Sequence, residues 1–134
     1  MIVLCSGGFD PLHVGHLSYL KDAAHFGDVV VALNSDAWLM VKKGFVFQPW
    51  NDRMLIVKAL SFVASVSTVE DSDGTVCEAL RRIRPHYFAN GGDRTKANPL
   101  EDSVCNELGI IQLLNTGGAK IRSSSELVRG IVKS

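Results

Sequence analysis

Two histidines, three residues apart, follow a pair of glycines and an aspartate in the stretch CSGGFDPLHVGHLSYL, which begins at Cys5. Imidazoles in that pattern suit phosphate chemistry, because each ring donates a hydrogen bond to an anionic oxygen without needing a full positive charge. His13 and His16 lie one helical turn apart and so share a helix face. Gly7 and Gly8 let the backbone turn tightly and approach a ligand closely. A helix starting near Leu12 to Val14 brings free N–H groups and the positive end of its dipole to the same place. Asp10 fits the turn as an orienting or capping residue. The HxxH spacing also suits a metal ion, but no third ligand accompanies it, so no fixed protein metal site is expected.

Such residues need a scaffold. Five short apolar runs punctuate the chain: MIVLCS, DVVVALN (28–34), ASVSTV (64–69), HYFAN (86–90) and GIIQLLN (109–115). Continuous apolar runs of this length predict strands buried on both faces, as in a parallel sheet. Helical stretches separate them. The first covers 14–26 with Gly27 as its stop; NDRMLIVKALSFV takes Asn51 as N-cap. DGTVCEALRRIRP ends in basic residues before Pro85, and NPLEDSVCNELG reads as a capping box with Asn98 as cap, Pro99 first, Glu101 close behind and Gly109 closing. A last helix is expected from about Ser124 to Lys133. The stretch KKGFVFQPWN (42–51) is the least regular part. The alternation predicts an α/β fold: one Rossmann-like doubly wound domain over 1–134, a five-stranded parallel sheet with helices on both faces. In such sheets ligands lie beyond the carboxyl ends of the strands, at the switch point.

Composition narrows the function. The 46% apolar content predicts a packed globule, and 14 basic against 14 acidic residues argue against a nucleic-acid partner. An anionic ligand must then be met by a local cluster. No apolar run is long enough for a membrane span, and the N-terminus lacks the basic region of a signal peptide. Three scattered cysteines without a CxxC pair argue against disulfides and zinc, so a cytoplasmic setting is expected.

The segment GGFDPLHVGH resembles the GxFDxxHxGH signature of the cytidylyltransferase-like nucleotidyltransferases, relatives of the class I aminoacyl-tRNA synthetases. The resemblance covers nearly the whole chain. HLSYLKDAAHFGDVVVALNSD is similar to the adenylyltransferase domain of ADP-heptose synthase, and glycerol-3-phosphate cytidylyltransferase is the other near relative. The resemblance implies that Gly7, Gly8, Phe9, Asp10 and Gly15 hold nucleotide beside His13 and His16. KKG implies that Lys42 and Lys43 reach the phosphates. The helix NDRMLIVKALSFV implies a nucleotide contact for Arg53, and FANGGDR places Gly91, Gly92 and Asp93 near the nucleoside. KIRSSSELV stands where the family has an ISTT-like segment, implying Arg122, Ser123, Ser124 and Ser125 on the triphosphate. Ser123 with Glu126 also reads as a capping box, which supplies donors at a helix start. Asp36, after the second strand, is expected on the acceptor side.

The implied reaction joins the nucleoside monophosphate of a nucleoside triphosphate to a small phosphorylated acceptor and releases pyrophosphate. Mg²⁺ is expected with the triphosphate, and pairing as a homodimer is common in the family. Where the cytidylyltransferases carry RYVDEV this chain reads SFVASV (61–66), without the arginine and aspartate. That departure weakens the cytidylyltransferase reading, and the resemblance of the SYL, NSD and GGD segments leans toward adenylyl transfer to a sugar phosphate over cytidylyl transfer to glycerol-3-phosphate or another alcohol phosphate. The altered serine segment leaves a nucleotide-binding module without catalysis as a further alternative. A synthetase fragment lacks room for a tRNA-binding domain, and a redox Rossmann protein lacks its GxGxxG.

Overall fold

The computed structural model describes residues 1–91 and 98–117. Among these, five strands and five helices follow one another: β1 (Ile2–Gly7), α1 (Val14–Ala23), β2 (Asp28–Leu33), α2 (Asp36–Lys43), α3 (Trp50–Lys58), β3 (Ser65–Ser67), α4 (Cys77–Ile83), β4 (Tyr87–Gly91), α5 (Pro99–Leu108) and β5 (Ile111–Thr116). Every strand falls on one of the five apolar runs. The sheet is parallel throughout, in the order β3-β2-β1-β4-β5. The chain steps outward from β1 to β3, then crosses back over β1 to build β4 and β5. The switch point therefore lies between β1 and β4.

The core explains why the strands read as unbroken apolar runs. On one side Val3 and Cys5 pack with Leu20 of α1, Val57 of α3 and Val31 of β2. On the other, Leu4 packs with Leu80 of α4, Val104 of α5 and Phe88 of β4. Successive β1 residues thus enter opposite layers, and both layers are apolar. No helix among the described residues is long and apolar enough to cross a membrane.

Several element boundaries differ from expectation. The segment 36–43 is a helix that the apolar pattern did not reveal. Ser35 caps it by accepting from Trp38 N–H at 3.1 Å, and Gly44 closes it at φ +82°. So Lys42 and Lys43 stand on the last turn of α2 rather than in a loop. Helix α3 starts at Trp50 after Pro49, not at an Asn51 cap. Helix α4 is short, because Asp73 accepts from Thr75 N–H and the Thr75 hydroxyl accepts from Cys77 N–H, making a turn of its first expected residues. Helix α1 ends before Gly27, which is small for another reason: a methyl there would collide with the Met1 carbonyl. In α5 the Asn98 cap, Pro99 and the Gly109 close are as expected. The Glu101 carboxylate, expected to reach back to the cap, is buried and accepts from Val76 N–H at 3.1 Å, tying α5 to the start of α4. The helix expected over 124–133 lies outside the described residues.

Candidate active site

β1 delivers its last residue, Gly7, to the switch point, where the Gly7 carbonyl accepts from Asn34 N–H at 2.9 Å. A methyl at Gly8 would sit 2.7 Å from Leu39 Cδ2, so the turn passes close under α2. Phe9 adopts φ +49°, a left-handed conformation that strains a bulky residue. Its ring is 3% exposed and meets the edge of His16 at 4.7 Å between centroids, which holds the strained turn in place. Phe9, expected to touch nucleotide, is thus a core residue behind an imidazole.

The two imidazoles form the start of α1. His13 Nδ1 accepts from Gly15 N–H at 3.0 Å, and His16 Nδ1 accepts from His13 N–H at 3.1 Å. The rings stack at 3.8 Å and 24°, and both are half-buried. This is a capping box in which imidazoles replace the usual serine and glutamate. An Nδ1 that accepts a hydrogen bond leaves the proton of the neutral ring on Nε2. Each ring is therefore set as an Nε2–H donor by the helix it caps. His13 Nε2 is itself buried. The first-turn amides, expected to face an anion directly, are engaged by His13: Gly15 N–H on its ring, His16 and Leu17 N–H on its carbonyl. Gly15 is thus a donor to His13.

Charged residues near the turn largely hold it together. Asp10 is 1% exposed, and its two carboxylate oxygens accept from Phe47 and Gln48 N–H, both at 2.7 Å. Instead of facing nucleotide, it braces the connection from α2 to α3. Lys43 Nζ donates to the Asp10 carbonyl at 2.5 Å and lies 3.8 Å from its carboxylate, with 8% of the side chain exposed. Burial pushes the Lys43 ammonium below its ordinary range; Arg53 adds to this and Asp10 opposes it. Lys43 is therefore fastened to the turn, whereas Lys42 is exposed and lies over the Trp38 ring at 4.5 Å.

Arg53 is fully buried, not at the surface of a nucleotide pocket. It donates to the carbonyls of Gln48 (2.9 Å), Gly8 (2.8 Å) and Asn34 (2.8 Å), and to the Asp36 carboxylate (2.6 Å). One guanidinium thus joins the glycine turn, the end of β2, the loop before α3 and the first residue of α2. Asp36 keeps a side chain 46% exposed beyond that pairing.

Two residues of the site escaped sequence reasoning. Asp71, buried after β3, accepts from Asn34 Nδ2 (2.9 Å), Ser35 N–H (2.9 Å) and the Ser35 hydroxyl (2.7 Å), and so seats the start of α2. Its nearest partner is 36 residues away, so local pattern carries no signal. Tyr19 lies across the switch point: Ser6 N–H donates to its hydroxyl at 3.1 Å, and the hydroxyl donates to the Ala89 carbonyl at 2.6 Å. Burial pushes the Tyr19 phenol well above its usual range, and Cys5 adds to this, so the hydroxyl keeps its proton.

Gly91 closes β4 on the other side of the switch point. Gly92, Asp93, Arg122, Ser123, Ser124 and Ser125 lie outside the described residues. Among the described residues no three histidine, cysteine, aspartate or glutamate side chains converge to hold a metal ion.

The sequence profile of the family described as cytidylyltransferase-like matches residues 4–126. The bifunctional protein HldE of Aliarcobacter butzleri is 34% identical over 118 residues, covering 85% of this chain and 24% of that protein. Its namesake in Wolinella succinogenes is 34% identical over 134 residues, covering 97% of this chain and 27% of that protein. The chain thus spans about a quarter of the length of these curated relatives. Among solved structures, the lipopolysaccharide core biosynthesis protein of Thermoplasma volcanium shares the fold with a TM-score of 0.73, at 24% identity, over 86% of this chain and 93% of its own.

Proposed function

The chain belongs to the cytidylyltransferase-like family, and on that premise we propose that it catalyses nucleotidyl transfer to a small phosphorylated acceptor. An acceptor phosphate oxygen attacks the α-phosphorus of a nucleoside triphosphate, and the bond to the bridging oxygen breaks to release pyrophosphate. The nucleophile is already ionised at neutral pH, so catalysis consists of alignment and of stabilising the charge that builds on the oxygens. The observation that carries this reading is the Nδ1 engagement of His13 and His16, which orients both rings as Nε2 donors.

His16 donates to the α-phosphate and the bridging oxygen, and His13 joins it only where its buried Nε2 is uncovered. Lys42 and Arg122 take the leaving phosphates, with Ser123, Ser124 and Ser125 as neutral donors; Lys43 joins them only by leaving Asp10. Gly91, Gly92 and Asp93 line the nucleoside, and Asp36, aimed by Arg53, faces the acceptor. Mg²⁺ arrives with the triphosphate as part of the substrate and neutralises its charge.

Adenylyl transfer to a sugar phosphate is the preferred form of the reaction. It is supported by similarity to the HldE proteins and by the absence of the RYVDEV segment. A thermal-shift series with ATP, CTP, GTP and UTP, each with Mg²⁺, followed by pyrophosphate release over a panel of phosphorylated acceptors, tests it. ATP at 100 times its Kd stabilises the fold by about 2.7 kcal/mol. Preference for CTP with glycerol-3-phosphate overturns the adenylyl form. Binding without pyrophosphate release from any pair overturns catalysis in favour of a nucleotide-binding module.

A further inference from the structure

The β1–β4 junction is the place where the sheet must open for a ligand, and it opens around one side chain. β1 is in register with β2 along its whole length, from Ile2 to Gly7. Its register with β4 covers only Val3 and Leu4, opposite Tyr87 and Phe88. Above that point the Ser6 amide donates to the Tyr19 hydroxyl, which passes the bond on to the Ala89 carbonyl. An inserted hydroxyl keeps both backbone groups satisfied while holding the two strands further apart than a direct ladder bond.

The rest of Tyr19 sets the two strand exits beside it. A methyl at Gly91, the last residue of β4, would lie 3.1 Å from Tyr19 Cδ1, so β4 leaves the sheet against the face of this ring. Gly117, just past β5, has φ +84° and would place a methyl 2.7 Å from the Tyr19 backbone nitrogen; its own N–H donates to the Asp22 carboxylate at 2.9 Å. His16 lies one helical turn before Tyr19 on α1. One residue therefore fixes the imidazole helix, the β4 exit and the β5 exit relative to one another.

We propose that Tyr19 is a positioning residue for nucleotide: its hydroxyl, wedged between Ser6 and Ala89, and its ring, beneath Gly91, set the spacing between the imidazoles of α1 and the strand exit that lines the nucleoside. It reacts with nothing. The inference rests on nucleotidyl transfer as the activity and adds a residue that touches neither phosphate nor base. Without the hydroxyl, β1 and β4 close toward each other and the β4 exit shifts against α1, so a nucleotide spanning the two is held less well.

Tyr19→Phe keeps the ring and removes the wedge. In pyrophosphate-release kinetics below the melting temperature, the nucleotide KM rises about tenfold while the acceptor KM stays within about twofold. A purely structural role lowers the active fraction and leaves both KM values unchanged. Tyr19→Met, which fills the same space with an unbranched apolar side chain and also lacks the hydroxyl, raises the nucleotide KM in the same way and serves if Tyr19→Phe does not fold. Both KM values within twofold of wild type in an active, folded variant overturn the inference and leave the activity standing. A folded wild-type chain that releases no pyrophosphate from any nucleotide and acceptor overturns the activity and the inference together.

Discussion

His16 is both a helix cap and a candidate catalytic donor, and the two roles use different ring nitrogens. Nδ1 accepts from His13 N–H, and the proton this leaves on Nε2 is the one offered to phosphate. His16→Ala removes both. The lost cap costs about 0.5–2 kcal/mol of stability, and the lost donor slows turnover by about 10²–10³ while nucleotide still binds. His16→Asn separates them, since its side-chain oxygen can take the His13 amide but offers no Nε2. It is expected to regain most of the melting temperature and none of the turnover. Turnover near wild type in either variant removes His16 from the chemistry. Phe9 and Gly15 belong to the same residue-scale device: one backs the ring and the other donates to its neighbour.

Between elements, the site depends on buried charge. Arg53 fastens α3 to the glycine turn, to the end of β2 and to α2, and Asp10 fastens the turn to the connection before α3. Removing the guanidinium takes the donor from the carbonyls of Gln48, Gly8 and Asn34, at about 1–3 kcal/mol for each acceptor left unsatisfied. Arg53→Met is therefore expected to lower the melting temperature by about 10 °C or more. Arg53→Lys recovers only part, because an ammonium cannot span four acceptors in a planar fork. A melting temperature within a degree of wild type for Arg53→Met contradicts the clamp. Gly8 lies under Leu39 at the same junction, so the turn packs directly against α2.

At the scale of the whole molecule, the core sets an alkaline limit. Burial pushes the Cys5 thiol up from 9.0 to about 12, with a hydrogen bond to Tyr19 opposing, and the Tyr19 phenol is likewise raised. Above pH 9 the unfolded chain releases the Cys5 proton that the folded chain retains, so deprotonation favours unfolding. The contribution is complete below pH 9 and falls away as pH rises toward 12, at up to about 1.4 kcal/mol per pH unit. Lys43, with its lowered ammonium, acts in the opposite sense as pH rises through its folded value. Denaturant midpoints from pH 8 to 11 should fall with a slope that Cys5→Ala flattens. Equal slopes in the two proteins place the thiol outside the core.

The amino-acid order alone was enough for the five strands, the parallel α/β architecture and the position of the histidine pair behind a glycine turn. These depend on periodicity and spacing within about a dozen residues. Helix α2 was not among the expected elements, although Ser35 caps it and Gly44 closes it. What folding decided was which polar groups face outward. Arg53, Asp10 and Lys43 have the composition of a phosphate site, yet their partners lie 45, 37 and 33 residues away and draw them inward. Tyr19 reads as one more apolar helix residue until β4, 70 residues on, brings the Ala89 carbonyl to its hydroxyl. A side chain's hydrogen-bond partner is a property of the packed chain, and in this protein those partners turn Arg53, Asp10 and Lys43 into braces of the glycine turn.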